Sequence, residues 1–174
     1  MQEPEWIFGY GSLIWRPDFP FAEQAPGRIH GYKRRFWQGS PDHRGTENKP
    51  GRVVTLIPHE DEPCEGMAFR LNEHERDEVM AHLDHREKGG YDRKVVEITL
   101  HSGEVVSGIT WYATHDNPWF LGEADVVEIA KHILECVGPS GPNIEYLERL
   151  FHVQSHDPHI SDIMLAVHEL RGNQ

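Results

Sequence analysis

Positive charge is in short supply in this chain. Only 17 Lys and Arg stand against 29 Asp and Glu, for a formal charge of −12 over 174 residues. Gripping phosphates needs basic side chains in excess, so this balance argues against a nucleic-acid partner and equally against an anionic membrane surface. Long apolar runs are also missing: none approaches the roughly 18 residues of a membrane-crossing helix. The opening MQEPEWIFGYGS has neither a basic stretch nor an apolar one and is not expected to act as a secretory leader. Cysteine is reduced to Cys64 and Cys136, with no CxxC pair. That excludes the framework of a disulfide-stapled secreted domain. Two reduced thiols in a cytoplasmic protein is the plainest reading, and one disulfide between them is the alternative. There is no internal repeat, low-complexity tract or linker, and the length suits one domain, residues 1–174. No obligate protein partner is evident.

What is present reads as strands first and helices last. Residues 5–10, 28–38, 52–58, 65–71, 92–100 and 105–113 are expected as strands, from alternation and from their content of aromatic and β-branched residues. Residues 39–51, GSPDHRGTENKPG, are rich in turn formers and predict a loop. His101-Ser102-Gly103 predicts a hairpin turn. One helix interrupts the strands: Asn72 and Glu75 have the spacing of a capping box, Val79, Met80 and Leu83 form an apolar stripe, and Gly89-Gly90 follows an end near Arg86. Three helices fill the last third. The first, 124–137, carries Val126, Ile129, Ile133 and Val137. The second, 143–154, carries Ile144, Leu147, Leu150 and Phe151. The third starts at Asp157-Pro158, a cap followed by proline at the first helical position. The order predicts an α+β fold, with an antiparallel or mixed sheet curled into a small barrel and helices segregated from it.

Few segments carry chemistry. Phe8-Gly9-Tyr10-Gly11-Ser12-Leu13 runs a strand into a glycine-flanked turn whose backbone N–H groups are candidates to hold a carboxylate or an oxyanion. An ordinary strand end is the bland alternative. Ser12 lacks the G-x-S-x-G context of a nucleophile elbow. In His85-Arg86-Glu87-Lys88-Gly89-Gly90, Glu87 stands at a helix C-terminus against the negative end of the helix dipole. That marks it as a functional candidate, with a solvated Glu paired to Arg86 or Lys88 as the alternative. Thirteen histidines invite a metal hypothesis, yet His152, His156 and His159 straddle a helix break and lack cysteine partners, so no metal is assigned. Lys33-Arg34-Arg35 reads most simply as a solvated basic face.

Together these segments resemble the ChaC family of glutathione-specific γ-glutamyl cyclotransferases. The similar stretches are WIFGYGSLIWRPDF at 6–19, RRFWQGSPDHRGT at 34–46, PGRVVTL at 50–56, REKGGYDRKVV at 86–96, NPWFLG at 117–122 and PSGPNIEYLERL at 139–150. The resemblance implies the γ-glutamyl cyclotransferase fold, a small closed or nearly closed sheet with flanking helices. It implies that Tyr10, Gly11, Ser12 and Leu13 grip the γ-glutamyl group largely by backbone and that Glu87 is the general base. Tyr146 resembles the family's pocket tyrosine. Some members carry extra residues between the glutamate and the paired glycines, where this chain has Lys88 alone.

The implied reaction asks little of the protein. In glutathione the α-amine of the γ-glutamyl group attacks its own γ-carbonyl, giving 5-oxoproline and cysteinylglycine with no cofactor required. The substrate carboxylates need donors in so acidic a chain, with the turn amides first and Arg44 or Arg52 second. Two alternatives stand beside this reading: a cyclotransferase for other γ-glutamyl amino acids or amines, and a regulatory binding protein on the same scaffold.

Overall fold

The computed structural model describes residues 4–86 and 90–173. Glu87, Lys88 and Gly89 lie outside the described residues, so the expected base has no structural account. The chain divides into two compact units, Met1–Lys33 with Leu56–Asn117, and Arg34–Thr55 with Pro118–Gln174.

The sheet is a closed five-stranded barrel in the order β1-β3-β2-β4-β5. Its strands are β1 (Trp6–Gly9), β2 (Glu23–Ser40), β3 (Gly51–Arg70), β4 (Asp92–Leu100) and β5 (Val105–Tyr112). β1 pairs antiparallel with β3, Trp6 opposite Arg70, and parallel with β5, Trp6 opposite Gly108, so the sheet is mixed as expected. The expected hairpin joins β4 to β5: Gly103 N–H donates to the Leu100 carbonyl at 2.8 Å. Two strands are longer than expected. β2 begins at Glu23, because residues 27 and 28 pair with Leu100 and Thr99 of β4. β3 is one strand of 20 residues where two were expected. The polar stretch of residues 59–64 reads locally as a break, but strand pairing overrides local composition.

In the first unit helix α1 (Arg76–Arg86) turns Val79, Met80 and Leu83 onto Ile7, Phe19, Phe69, Ile109 and Trp111. Phe19, Phe21 and Phe69 meet edge to face or tilted, with ring centres 5.1–6.4 Å apart. Each such side chain, fully buried, contributes about 1.5–3 kcal/mol. The expected capping box is not made. The Asn72 side-chain amide instead donates to the Glu75 carboxylate at 2.7 Å, and the helix starts one residue beyond Glu75.

The second unit holds α2 (Val126–Glu135), α3 (Asn143–Val153) and α4 (Pro158–Gly172). Ile129 and Ile133, Leu147 and Leu150, and Ile160, Ile163 and Val167 form its core. Asp125 caps α2 by accepting from Glu128 N–H, and Asp157 caps α4 by accepting from His159 and Ile160 N–H. α2 ends earlier than expected. Val137 leaves the helix, is 61% exposed, and pairs with Pro142 in a two-strand turn, β6 (Val137–Gly138) with β7 (Gly141–Pro142). The basic face expected at 33–35 is also corrected. Arg34 is buried, and its guanidinium donates to the Asp157 carboxylate at 2.9 Å and to Gln154 Oε1 at 3.4 Å.

Candidate active site

The turn after β1 belongs to the first unit. Leaving the strand at Gly9, the chain makes a short 3-10 turn at Ser12–Ile14, with Ile14 N–H donating to the Gly11 carbonyl at 3.0 Å and Arg16 N–H to the Ser12 carbonyl at 2.8 Å. Gly9 permits it, since a Cβ there would lie 2.8 Å from the Cβ of Leu13. Leu13 packs on the core cluster. Tyr10 is buried, and its hydroxyl donates to the Trp111 carbonyl at 2.7 Å. The indole N–H of Trp111 donates to Asp84 Oδ1 of α1 at 2.9 Å.

Arg86, the residue before Glu87, reaches the same turn. Its Nη1 contacts Asp18 Oδ1 at 2.6 Å, and its Nη2 donates to Ser12 Oγ at 3.1 Å. His82, one helical turn earlier, places Nε2 3.3 Å from the other Asp18 oxygen. Burial pushes the Asp18 carboxyl up, but the Arg86 charge and the hydrogen bonds from His82 and Arg86 together hold it below the ordinary value.

Arg44, Arg52 and Tyr146 lie in the second unit, and the start of α3 gathers all three. Arg44 Nη1 donates to the Pro142 carbonyl at 3.1 Å and to Glu145 Oε2 at 3.3 Å. Asn143, fully buried, accepts from Arg52 N–H at 2.7 Å and donates to the Arg52 carbonyl at 2.8 Å, as a strand neighbour would. The Tyr146 hydroxyl accepts from Val54 N–H at 3.3 Å, and its ring meets Phe36 edge to face at 5.8 Å. The Arg52 guanidinium donates to the Phe36 carbonyl at 2.8 Å and to His132 Nδ1 at 3.2 Å. Burial lowers its pKa, opposed by Glu128 and Cys136, and it remains charged. Nη2 of each arginine is outside these bonds among the described residues.

Asn143, Asp18 and Arg86 hold expected site residues in place without any local signal in the sequence. Asn143 and Arg86 lie inside the matching stretches, but their bonds span 91 and 74 positions, which no local spacing reveals. Among the described residues no group of three or more His, Cys, Asp or Glu is placed to hold a metal ion. His159 Nε2 instead accepts from Phe36 N–H at 3.0 Å.

The sequence profile of the family described as ChaC-like protein matches residues 5–170. The chain belongs to the ChaC-like family. It is 43% identical to the glutathione-specific gamma-glutamylcyclotransferase 1 of Danio rerio, over 93% of this chain and 88% of that protein. It is 41% identical to the protein of the same name from Homo sapiens, over 93% and 78%. Its fold superposes on the crystal structure of a glutathione-specific cyclotransferase from yeast with a TM-score of 0.88 at 30% identity, covering 97% of each chain. The γ-glutamyl cyclotransferase fold expected for a ChaC-like chain is the one observed.

Proposed function

We propose that this chain cleaves glutathione to 5-oxoproline and L-cysteinylglycine. The observation that carries the reading is similarity along nearly the whole chain to relatives named for that specificity, with the yeast enzyme's fold reproduced at a TM-score of 0.88.

The chemistry is internal to the substrate. The α-amine nitrogen forms a bond to the γ-carbonyl carbon, the carbonyl becomes an oxyanion, and the old amide C–N bond breaks as the oxyanion collapses. The α-ammonium loses two protons on becoming the lactam N–H, one before attack and one from the tetrahedral intermediate; one goes to the departing cysteinyl amine and the other to that amine or to water. Holding amine and carbonyl in attacking geometry supplies up to ~7–11 kcal/mol of the barrier. Glu87 takes the first proton and delivers it to the leaving amine. Reference values near ~4.3 for Glu and ~8 for an α-ammonium separate donor and acceptor by roughly 4 units, or about 5 kcal/mol, so a site that raises the Glu value speeds the step. Amides of residues 10–13 are the donors to the substrate's anionic oxygens, with Arg44 and Arg52 as further guanidinium donors and Tyr146 as a pocket side chain. We assign the reaction to the cytoplasm, which suits a chain whose two buried cysteines are not joined in a disulfide.

Incubating the purified chain with glutathione and following 5-oxoproline and cysteinylglycine by mass spectrometry tests the reading. Glutathione acetylated on its α-amine is expected to compete with substrate yet release no cysteinylglycine, because the nucleophile is blocked. Release of open-chain N-acetylglutamate from it would make the protein a hydrolase. Preferential turnover of another γ-glutamyl compound would replace glutathione as the substrate.

A further inference from the structure

The proposed reaction leaves one arrangement of the first unit without a role. Asp84 stands in the last turn of α1, where the helix dipole favours a cation over an anion. Two donors from the sheet hold its carboxylate there. The indole N–H of Trp111 donates to Oδ1 at 2.9 Å, and Arg93 Nη1 donates to Oδ2 at 3.4 Å. Trp111 and Arg93 are direct partners across β5 and β4, so one rung of the sheet takes both oxygens of one side chain. Trp111 is the firmer of the two holds. It is buried, whereas the Arg93 side chain is 44% exposed and water weakens its attraction.

Trp111 also has a second tie. Its carbonyl accepts from the buried Tyr10 hydroxyl at 2.7 Å, while Arg86 Nη2 donates to Ser12 Oγ at 3.1 Å. Tyr10 and Ser12 flank Gly11 in the turn after β1, and Asp84 and Arg86 share the last turn of α1. Turn, strand β5 and helix end therefore close a ring of hydrogen bonds within the first unit. Val79, Met80 and Leu83 bury α1 against the core, but apolar burial has no direction and tolerates small slides. A hydrogen bond weakens steeply when it is bent. The Asp84 bond thus supplies a register that the apolar stripe does not.

We propose that Asp84 is a positioning residue for the reaction, held by Trp111 and acting through the helix end that precedes Glu87 in the chain. This rests on the reading of the chain as a γ-glutamyl cyclotransferase with Glu87 as its base. A proton passes between heavy atoms about 2.6–3.2 Å apart, and a misplacement of about 1 Å costs on the order of 10²-fold in rate. A last turn free to slide therefore slows proton transfer and leaves the binding of glutathione almost unchanged. The role asks Asp84 to accept a hydrogen bond and does not ask it to carry charge. Asparagine presents an acceptor oxygen at the same place, and alanine presents none.

The test is steady-state kinetics with glutathione on wild type, Asp84→Ala, Asp84→Asn, Trp111→Phe and two double variants. Asp84→Ala is expected to lower kcat roughly ten- to hundredfold, with KM within about threefold of wild type. Asp84→Asn should keep kcat within about threefold, because its amide oxygen still accepts the indole N–H. Trp111→Phe lowers kcat as Asp84→Ala does, and Asp84→Ala/Trp111→Phe is no worse than the poorer single within about threefold, since both remove the same bond. In Asp84→Ala/Glu87→Gln the residual kcat falls no more than about threefold below that of Glu87→Gln, because the base being positioned is already gone. A silent Asp84→Ala, a loss carried by KM, no rescue by asparagine, or effects that multiply in either double variant would overturn the proposal. If Asp84→Ala or Trp111→Phe lacks a cooperative thermal transition, the other carries the test, alone and combined with Glu87→Gln. Should another γ-glutamyl compound prove the better substrate, the same ratios are expected with it. A wild type that forms no 5-oxoproline from any of them defeats the proposed reaction and this role with it. An active wild type whose kcat survives in Asp84→Ala defeats the role alone.

Discussion

Ser12 and Arg52 belong to different units and are held by different means. Ser12 is bridged by side chains that keep part of their surface in water, 21% for Arg86 and 39% for Asp18. Arg52 has both backbone polar groups taken by one fully buried amide, Asn143. An exposed ion pair contributes about 0–1 kcal/mol, because water screens the attraction and two long side chains lose freedom. A buried backbone group stripped of its partner costs about 1–3 kcal/mol. The first arrangement orients groups with little bearing on folding, whereas the second supports the fold. Function and stability should therefore respond to different substitutions.

Glu87→Gln is the largest test of that separation. It is expected to lower kcat about 10²–10⁴-fold, the usual contribution of a general base, while the melting temperature stays near wild type. Retention of more than a tenth of wild-type kcat would remove Glu87 from the base role.

Asn143→Ala works in the opposite direction. Two buried backbone groups of Arg52 lose their partners, so denaturant titration should find the protein destabilised by about 2–4 kcal/mol. A loss below about 1 kcal/mol would mean that water or a neighbour replaces the amide. Gly51→Ala strikes the same support sterically. A Cβ there would press on the Arg44 carbonyl and lie 2.8 Å from Asn143 Oδ1. Overpacking of this kind costs about 1–3 kcal/mol, and wild-type stability in Gly51→Ala would show that the 44–51 loop gives way.

Asp18→Asn should scarcely change stability at neutral pH, by no more than about 1 kcal/mol. The pH dependence carries the sign. The folded state holds the Asp18 pKa below its unfolded value, so the pair stabilises the protein above about pH 4 and that contribution is lost as the pH falls through the lowered value. The small gap in melting temperature between wild type and Asp18→Asn should therefore close on acidification. A gap that widened toward low pH would contradict the ion pair.

The sequence by itself determined whatever depends on local pattern. Period-two alternation located β4 at its observed limits, helical spacing identified Val79, Met80 and Leu83 as a buried stripe, and Asp157-Pro158 marked the start of α4. Its motifs pointed to the family, and they named Glu87, Ser12 and Tyr146 as residues to watch. The tertiary structure alone decided what depends on distant partners. Residues 59–64 are polar enough to read as a break, yet they belong to one continuous strand. Arg34 reads as a surface cation until Asp157, 123 positions on, takes its charge inside. Ser12 reads as one hydroxyl in a turn until Arg86, 74 positions away, donates a hydrogen bond to it. The physical reason is the same in each case. Backbone periodicity is written in neighbouring residues, whereas the cost of burying a charge or orienting a proton is met by whichever group the fold brings within about 3 Å.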